Sequence, residues 1–369
     1  MGADVILNRA LTRRKFLAAS AITLGGAALA TMGAQCDPAL VRRLQQAKTA
    51  LPPQHVAWVW QFSSDGDPAQ IVSNLRANKM AVTVKTHDGT DWMSRYDRHA
   101  QAISGPGQVA AMASYFESHG VPFHAWCVVK GDDVVREAQM AADVLAAGAR
   151  SLILDIEGSA GFWHGSAADA ARYGAELRAR NAFGRVDISI DPRPWRMYLV
   201  PMQEFVDFTD GIWPQLYWDT FDTPGNFDGY VSSGFPPGGN GITPEFLLDT
   251  TFHLLSQWDR WIIPVGQGAA SDAATWPRFV RRAWELGWGA VSVWRYGVTR
   301  YDTLVYLGQN PAGVAPQPPR PPTATATPRT PTRTPTRTPT RTPTRTPTLT
   351  PTPTLTPAPS ATATATPTA

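Results

Sequence analysis

The chain has 369 residues, 33 Lys and Arg against 30 Asp and Glu, and a net charge of +3, with 33 prolines and two cysteines. Residues 1–20 carry +3 and the six arginines after Asn310 carry +6, so subtracting both from the total leaves residues 21–310 at −6. The basic pI therefore belongs to the two ends and gives no support for nucleic-acid binding, and Cys36 and Cys127 are too few for a disulfide framework.

In chain order, Thr12-Arg13-Arg14-Lys15-Phe16-Leu17 precedes a charge-free apolar run from Ala18 to Met32. This pattern predicts a twin-arginine export signal over residues 1–34, cleaved after Ala30 or Ala34, and a secreted or cell-surface protein. The run is shorter than the ~20 residues a spanning helix needs, so no transmembrane span is expected after cleavage. Cys36 offers lipid modification as an alternative, although Gly33-Ala34-Gln35 is a poor lipobox. Residues 35–54 read as a linker. From 311 to 369 the chain is almost wholly Thr, Pro, Ala and Arg, with Thr-Pro-Thr-Arg repeating from Thr330 to Arg345. Such composition predicts a disordered, extended stalk whose threonines invite O-glycosylation.

Residues 55–310 alternate strand-like and helix-like runs. Strands are expected at Val56–Phe62, Met80–Lys85, Pro122–Val128, Ser151–Glu157, Val186–Asp191, Gly211–Trp218, Trp261–Gln267 and Ala290–Tyr296. Helices are expected at Pro68–Asn78, Gln108–His119, Asp133–Ala147, Ala167–Asn181, Met197–Phe208, Pro244–Trp258 and Trp276–Leu286, with Tyr301–Leu307 closing the domain. About 255 residues in eight such units, with no glycine-rich dinucleotide fingerprint after the first strand, predict an α/β fold of the (β/α)₈ TIM-barrel type.

In that fold the working residues lie at the C-terminal strand ends, and the polar and aromatic residues crowd there. The fourth run, Ser-Leu-Ile-Leu-Asp155-Ile-Glu157-Gly, is the most informative. A strand repeats every two residues, so Asp155 and Glu157 share a side with Cα atoms ~6.6 Å apart. Two close carboxylates have their pKa values pushed apart, giving one acid and one anion, which is the equipment for cleaving a glycosidic bond. The bland alternative is a helix-capping Asp beside a salt-bridged Glu. All fourteen tryptophans lie between Trp58 and Trp294. Trp60, Trp126, Trp218 and Trp294 stand near strand ends, where an indole face can stack on a sugar; Trp258, Trp276, Trp284 and Trp288 read as core. His87, His124 and His164 do not form a spaced metal-ligand set, so neither metal nor other cofactor is expected.

Three segments resemble secreted glycoside-hydrolase barrels of the family-18 chitinase-like and family-25 lysozyme-like kinds. Leu154-Asp155-Ile156-Glu157 is similar to their strand-four Asp-x-Glu. Gln215-Leu216-Tyr217-Trp218-Asp219 is similar to the strand-six motif, and Gly289-Ala290-Val291-Ser292-Val293-Trp294 to the strand-eight run that ends in a tryptophan. The resemblance implies Glu157 as general acid and Asp155 as stabiliser of the substrate's acetamido group. It also implies Tyr217 near the anomeric centre and Trp294 beneath the sugar. Gln215, Asp219, Lys85, Asp88 and Trp126 complete the expected substrate contacts. Lys85 and Asp88 fall outside either family's pattern and suit a charged or hydroxyl-rich substrate, or Lys85 pairs with a rim carboxylate such as Asp155. Ile153 stands where chitinases usually carry a further Asp, and Gln61-Phe62 where lysozyme-like members have one. The expected function is hydrolysis of an envelope or extracellular polysaccharide, peptidoglycan included. The alternatives are an inactive carbohydrate-binding barrel and a stalk-borne adhesion scaffold.

Overall fold

A computed structural model describes residues 54–270 and 274–316. The export signal, the linker up to residue 53, Cys36 and the repeats of the stalk lie outside the described residues. The eight barrel strands are β1 (Val56–Val59), β2 (Ala81–Asp88), β3 (Phe123–Val128), β4 (Ser151–Asp155), β5 (Arg185–Ile190), β6 (Gly211–Leu216), β7 in two segments (Trp261–Ile262 and Val265–Gln267) and β8 (Ser292–Trp294). Each pairs in parallel with its neighbours, and β1 pairs with both β2 and β8, which closes the sheet. The helices outside are α1 (Pro68–Ala77), α2 (Pro106–Ser118), α3 (Val134–Ala146), α4 (Ala167–Arg180), α5 (Met202–Phe208), α6 (Pro244–Leu255), α7 (Thr275–Glu285) and α8 (Tyr301–Gln309). Among the described residues no helix is long and apolar enough to cross a membrane.

The strands are buried on both faces, and the period of two divides their residues between two cores. Ala57, Val59, Val82, Val84, Ala125, Cys127, Leu152, Leu154, Ile188, Ile212 and Val293 join the layer between sheet and helices. Val56, Trp58, Ala81, Trp126, Val128, Ile153, Trp213 and Val265 fill the barrel interior. Trp58 is the hub of that filling, with ring centroids 5.2 Å from Trp126, 5.8 Å from Trp213 and 5.7 Å from Trp294, all edge to face. These buried indoles find acceptors: Trp58 Nε1 donates to Ser292 Oγ, Trp126 Nε1 to Val59 O and Trp213 Nε1 to Asp187 Oδ2.

Several boundaries depart from the sequence reading. The first strand stops at Val59 because Phe62–Asp65 turns into a helical turn whose leading N–H groups are taken by Asp97, at 2.7 and 3.2 Å. The seventh is broken at Pro264, which has no N–H for the ladder. The expected helix Met197–Phe208 divides at Pro201 into Pro194–Met197 and α5. Two short helices beyond β6, Trp218–Phe221 and Pro224–Ser232, were not expected. Nor was the antiparallel return of Asp91–Trp92 onto the end of β2. Helix starts marked by Asp67-Pro68 and Thr243-Pro244 fall where the sequence places them, the capping side chains accepting from Ala69 N and Phe246 N.

Candidate functional site

The strand alternation that fills the barrel with tryptophan puts polar groups in phase at its C-terminal mouth. Asp155 follows Ile153 on β4, Ser189 follows Asp187 on β5, Gln215 follows Trp213 on β6, and Trp294 follows Ser292 on β8. Glu157 lies just past the end of β4, where Ile156 N still donates to Ser189 O at 3.0 Å. Together with Trp58, Trp60, Lys85, Trp126, Val128, Phe162, Asp191, Arg193, Tyr217 and Phe221, the side chains of Asp155, Glu157, Ser189, Gln215 and Trp294 line a cavity of about 320 Å³, within the size range of small-molecule sites.

Gln215 ties the carboxyls together. Its Nε2 donates to Asp155 Oδ1 at 3.0 Å, to Glu157 Oε1 at 2.9 Å and to Ser189 Oγ at 3.1 Å. Burial, then the charge of Glu157, pushes the Asp155 carboxyl well above its usual range, with Lys85 pulling the other way. Burial also raises Glu157, while the Gln215 and Ser159 hydrogen bonds oppose the shift and the Asp191 charge adds to it. Both groups therefore hold protons more tightly than solvated carboxyls do. Burial, reinforced by the carboxyls around it, raises the Tyr217 phenol well above its ordinary value, which keeps it a hydrogen-bond donor at neutral pH.

The walls are held by ion pairs. Arg193 Nε donates to Asp191 Oδ1 at 2.9 Å and Nη1 to Asn226 Oδ1 at 2.9 Å, and the guanidinium lies 4.3 Å from the Phe221 ring centroid. Lys85 Nζ pairs with Asp88 Oδ2 at 2.6 Å, not with Asp155, which corrects the suggested rim partner. The reason is local: β2 carries a bulge between Lys85 and His87, and the phase shift brings residues three apart to one side. Asp88 also receives Lys130 Nζ at 2.6 Å.

Of the expected site residues, Glu157, Asp155, Tyr217, Trp294, Gln215, Lys85 and Trp126 line the cavity, and Asp88 and Asp219 do not. Asp88 stands behind Lys85. Asp219 is exposed and accepts from Gln267 Nε2 at 3.2 Å, fastening the short helix Trp218–Phe221 to β7. Trp218, one of the expected platforms, is buried on the outside of the barrel, 5.6 Å from Trp276 and 5.1 Å from Phe279. Ser189, Asp191, Arg193, Phe162 and Phe221 were missed. Ser189 was findable, being two residues before Asp191 and so on the same face; Phe162 lies in a loop and gave no signal. His87 and His124 are buried and held neutral, their pKa values lowered to about 3 chiefly by burial. Among the described residues no group of three or more His, Cys, Asp or Glu is placed to hold a metal ion.

Fold and site define the class: a closed (β/α)₈ barrel with a hydrogen-bonded carboxyl pair in an aromatic-walled cavity at its C-terminal mouth. No protein-family model and no curated protein matches the chain. Solved structures similar to it include active domain 2 of a thermostable chitinase from Pyrococcus furiosus, at 13% identity over 70% of this chain and 95% of that one, TM-score 0.47. Another is the glycoside hydrolase domain of PgaB (BpsB) from Bordetella bronchiseptica, at 10% identity over 70% and 98%, TM-score 0.45. A dihydrodipicolinate synthase from Agrobacterium tumefaciens also matches, at 12% identity over 65% and 69%, TM-score 0.37. At such identities these likenesses carry no argument about activity, and the barrel stands on its own strand pairing.

Proposed function

We propose that the chain is an exported glycoside hydrolase acting on an envelope or extracellular polysaccharide built on N-acetylated sugars. The observation that carries this reading is the single Gln215 amide joining Asp155 and Glu157 at the mouth of the aromatic cavity. Glu157, with its raised pKa, gives its proton to the leaving glycosidic oxygen. The acetamido oxygen of the substrate attacks the anomeric carbon, and Asp155 steadies the positive charge that develops on the acetamido group. Water then opens the ring so formed, and Glu157 takes back a proton. Tyr217 donates a hydrogen bond beside the reacting carbon, and Trp294 offers its face to the sugar. This assignment follows the sequence resemblance together with the placement of the four side chains.

A second reading, a sugar-binding barrel without turnover, is favoured by one observation. The layer beneath Asp155 is apolar, with fully buried Ile153 among Trp58, Trp126 and Trp213. A digestion screen of glycans and peptidoglycan with wild type and Glu157→Gln tests both. Proton donation contributes ~10²–10⁴ in rate, so turnover falls by that factor in the variant while the fold and sugar affinity survive. Equal turnover by the two proteins removes Glu157 from the chemistry. A wild type that binds but digests none of the panel leaves the second reading standing.

A further inference from the structure

We infer that the cavity contains a subsite at Lys85 for a carboxylate borne by the bound sugar, so that its ligands are acidic glycans. The inference rests on the glycan reading above and names the substrate class. Two cations line the cavity, and they differ in how they are committed. Arg193 faces both oxygens of Asp191, Asn226 and the Phe221 ring, on the wall formed beyond β5. Lys85, on the β2 side, meets one carboxylate, and that carboxylate is shared with a second ammonium group from Lys130. Two lysines on one aspartate leave the trio with a net charge of +1. Of the charges around the trio, Asp91 pairs with Arg95 and Asp132 contacts His164 outside the cavity, all at least a third exposed to solvent, while Asp155, on the cavity wall, interacts with Lys85.

The Lys85 side chain is only 7% exposed, and Nζ sits 5.0 Å from the centroid of the Trp126 ring, which itself lines the cavity. An ammonium group withdrawn from water is costly unless it is paired and hydrogen-bonded. Asp88 holds it in place and the excess charge of the trio points to an anion. A carboxylate is the fitting ligand group, because the ammonium presents several N–H donors around one axis, and the partly exposed indoles of Trp60 and Trp294 line the same cavity, where they can meet the apolar side of a pyranose ring. Two sources share this chemistry: a uronic acid, and the lactyl ether of an N-acetylated sugar.

The test is calorimetric titration of the full chain in the Glu157→Gln background, so that no ligand is consumed. Three disaccharides serve as probes: neutral chitobiose, a hyaluronan disaccharide with a uronate, and the N-acetylglucosamine–N-acetylmuramic acid disaccharide with a lactyl carboxylate. At least one acidic probe should bind about ten- to a hundredfold more tightly than chitobiose, the range for a hydrogen bond to a charged group. Which of the two does so identifies the source. Lys85→Met should abolish the preference, Lys85→Arg should retain it, and raising salt from about 50 to about 500 mM should weaken it. Equal affinity for all three probes, binding of none, or a preference that survives Lys85→Met or is indifferent to salt overturns the inference. If Lys85→Met fails to fold, the salt series and Lys85→Arg decide. Hydrolysis of chitobiose by wild type without any acidic preference would sink the subsite and leave the proposed activity; an acidic preference without hydrolysis would do the reverse.

Discussion

Replacing Asp155 by Asn should stabilise the barrel at neutral pH while slowing turnover. The carboxyl is buried in the cavity wall, and burial and Glu157 raise its pKa above that of the unfolded chain. A group whose folded pKa is raised contributes its stability below the unfolded value, 3.8, and loses it as pH rises through the folded value. At pH 7 wild type therefore bears the cost of a buried charge or of holding a proton, and each tenfold rise in proton affinity costs about 1.4 kcal/mol. Asn has the same shape and removes the ionisation. Its amide oxygen still accepts from Gln215, and its amide N–H can reach Ser189. A gain of about 1–3 kcal/mol at pH 7 is expected, by the same logic that makes buried ion pairs replaceable. For a barrel of this size that raises Tm by roughly 2–4 °C per kcal/mol. Thermal melts of both proteins at pH 7 and pH 3 should show the difference shrinking at the lower pH, where the Asp155 carboxyl is largely protonated in both states. A variant less stable than wild type at pH 7, or a gap indifferent to pH, would refute the electrostatic reasoning.

His124 carries the opposite sign. Its pKa falls to about 3 in the fold, so its stability is present above the unfolded value, 6.5, and is lost as pH falls towards 3. His124→Gln should flatten the slope of urea-measured stability between pH 4 and 5.5 by about 1.4 kcal/mol per pH unit; an unaltered slope would count against burial as the cause. Glu137 accepts from the backbone N–H groups of Lys130, Gly131, Asp132 and Asp133 at 2.8–3.3 Å. Glu137→Ala leaves four donors without that acceptor and should cost about 3–5 kcal/mol in a urea titration, and a loss under ~1 kcal/mol would show the loop stands without it. Replacing Arg13 and Arg14 together by Lys should leave the precursor in the cytoplasm on fractionation; normal export of that protein would dismiss the signal.

The barrel was legible from the chain alone, because eight apolar runs at helix-spaced intervals have few ways to bury both faces. So was the kinship of Asp155 and Glu157, since a period of two depends on no distant residue. Gln215 and Tyr217 could be placed on one face by the same rule, and the strand ends pointed to the rim where the cavity opens. What holds the carboxyls was not legible. Gln215 reaches them across β5, from β6 to β4, and that distance is fixed only when the sheet curls and closes. Trp218 read as a platform because it continues the run of β6. The strand ends at Leu216, and the helical turn that follows swings the indole outward against Trp276 and Phe279. The partner of Lys85 was hidden for the same kind of reason. A regular strand puts residues 85 and 88 on opposite faces, and the bulge that reunites them is a property of how β2 pairs with β3. Local periodicity fixes direction; a change of phase, which here decides the charge lining the cavity, is set by the neighbouring strand.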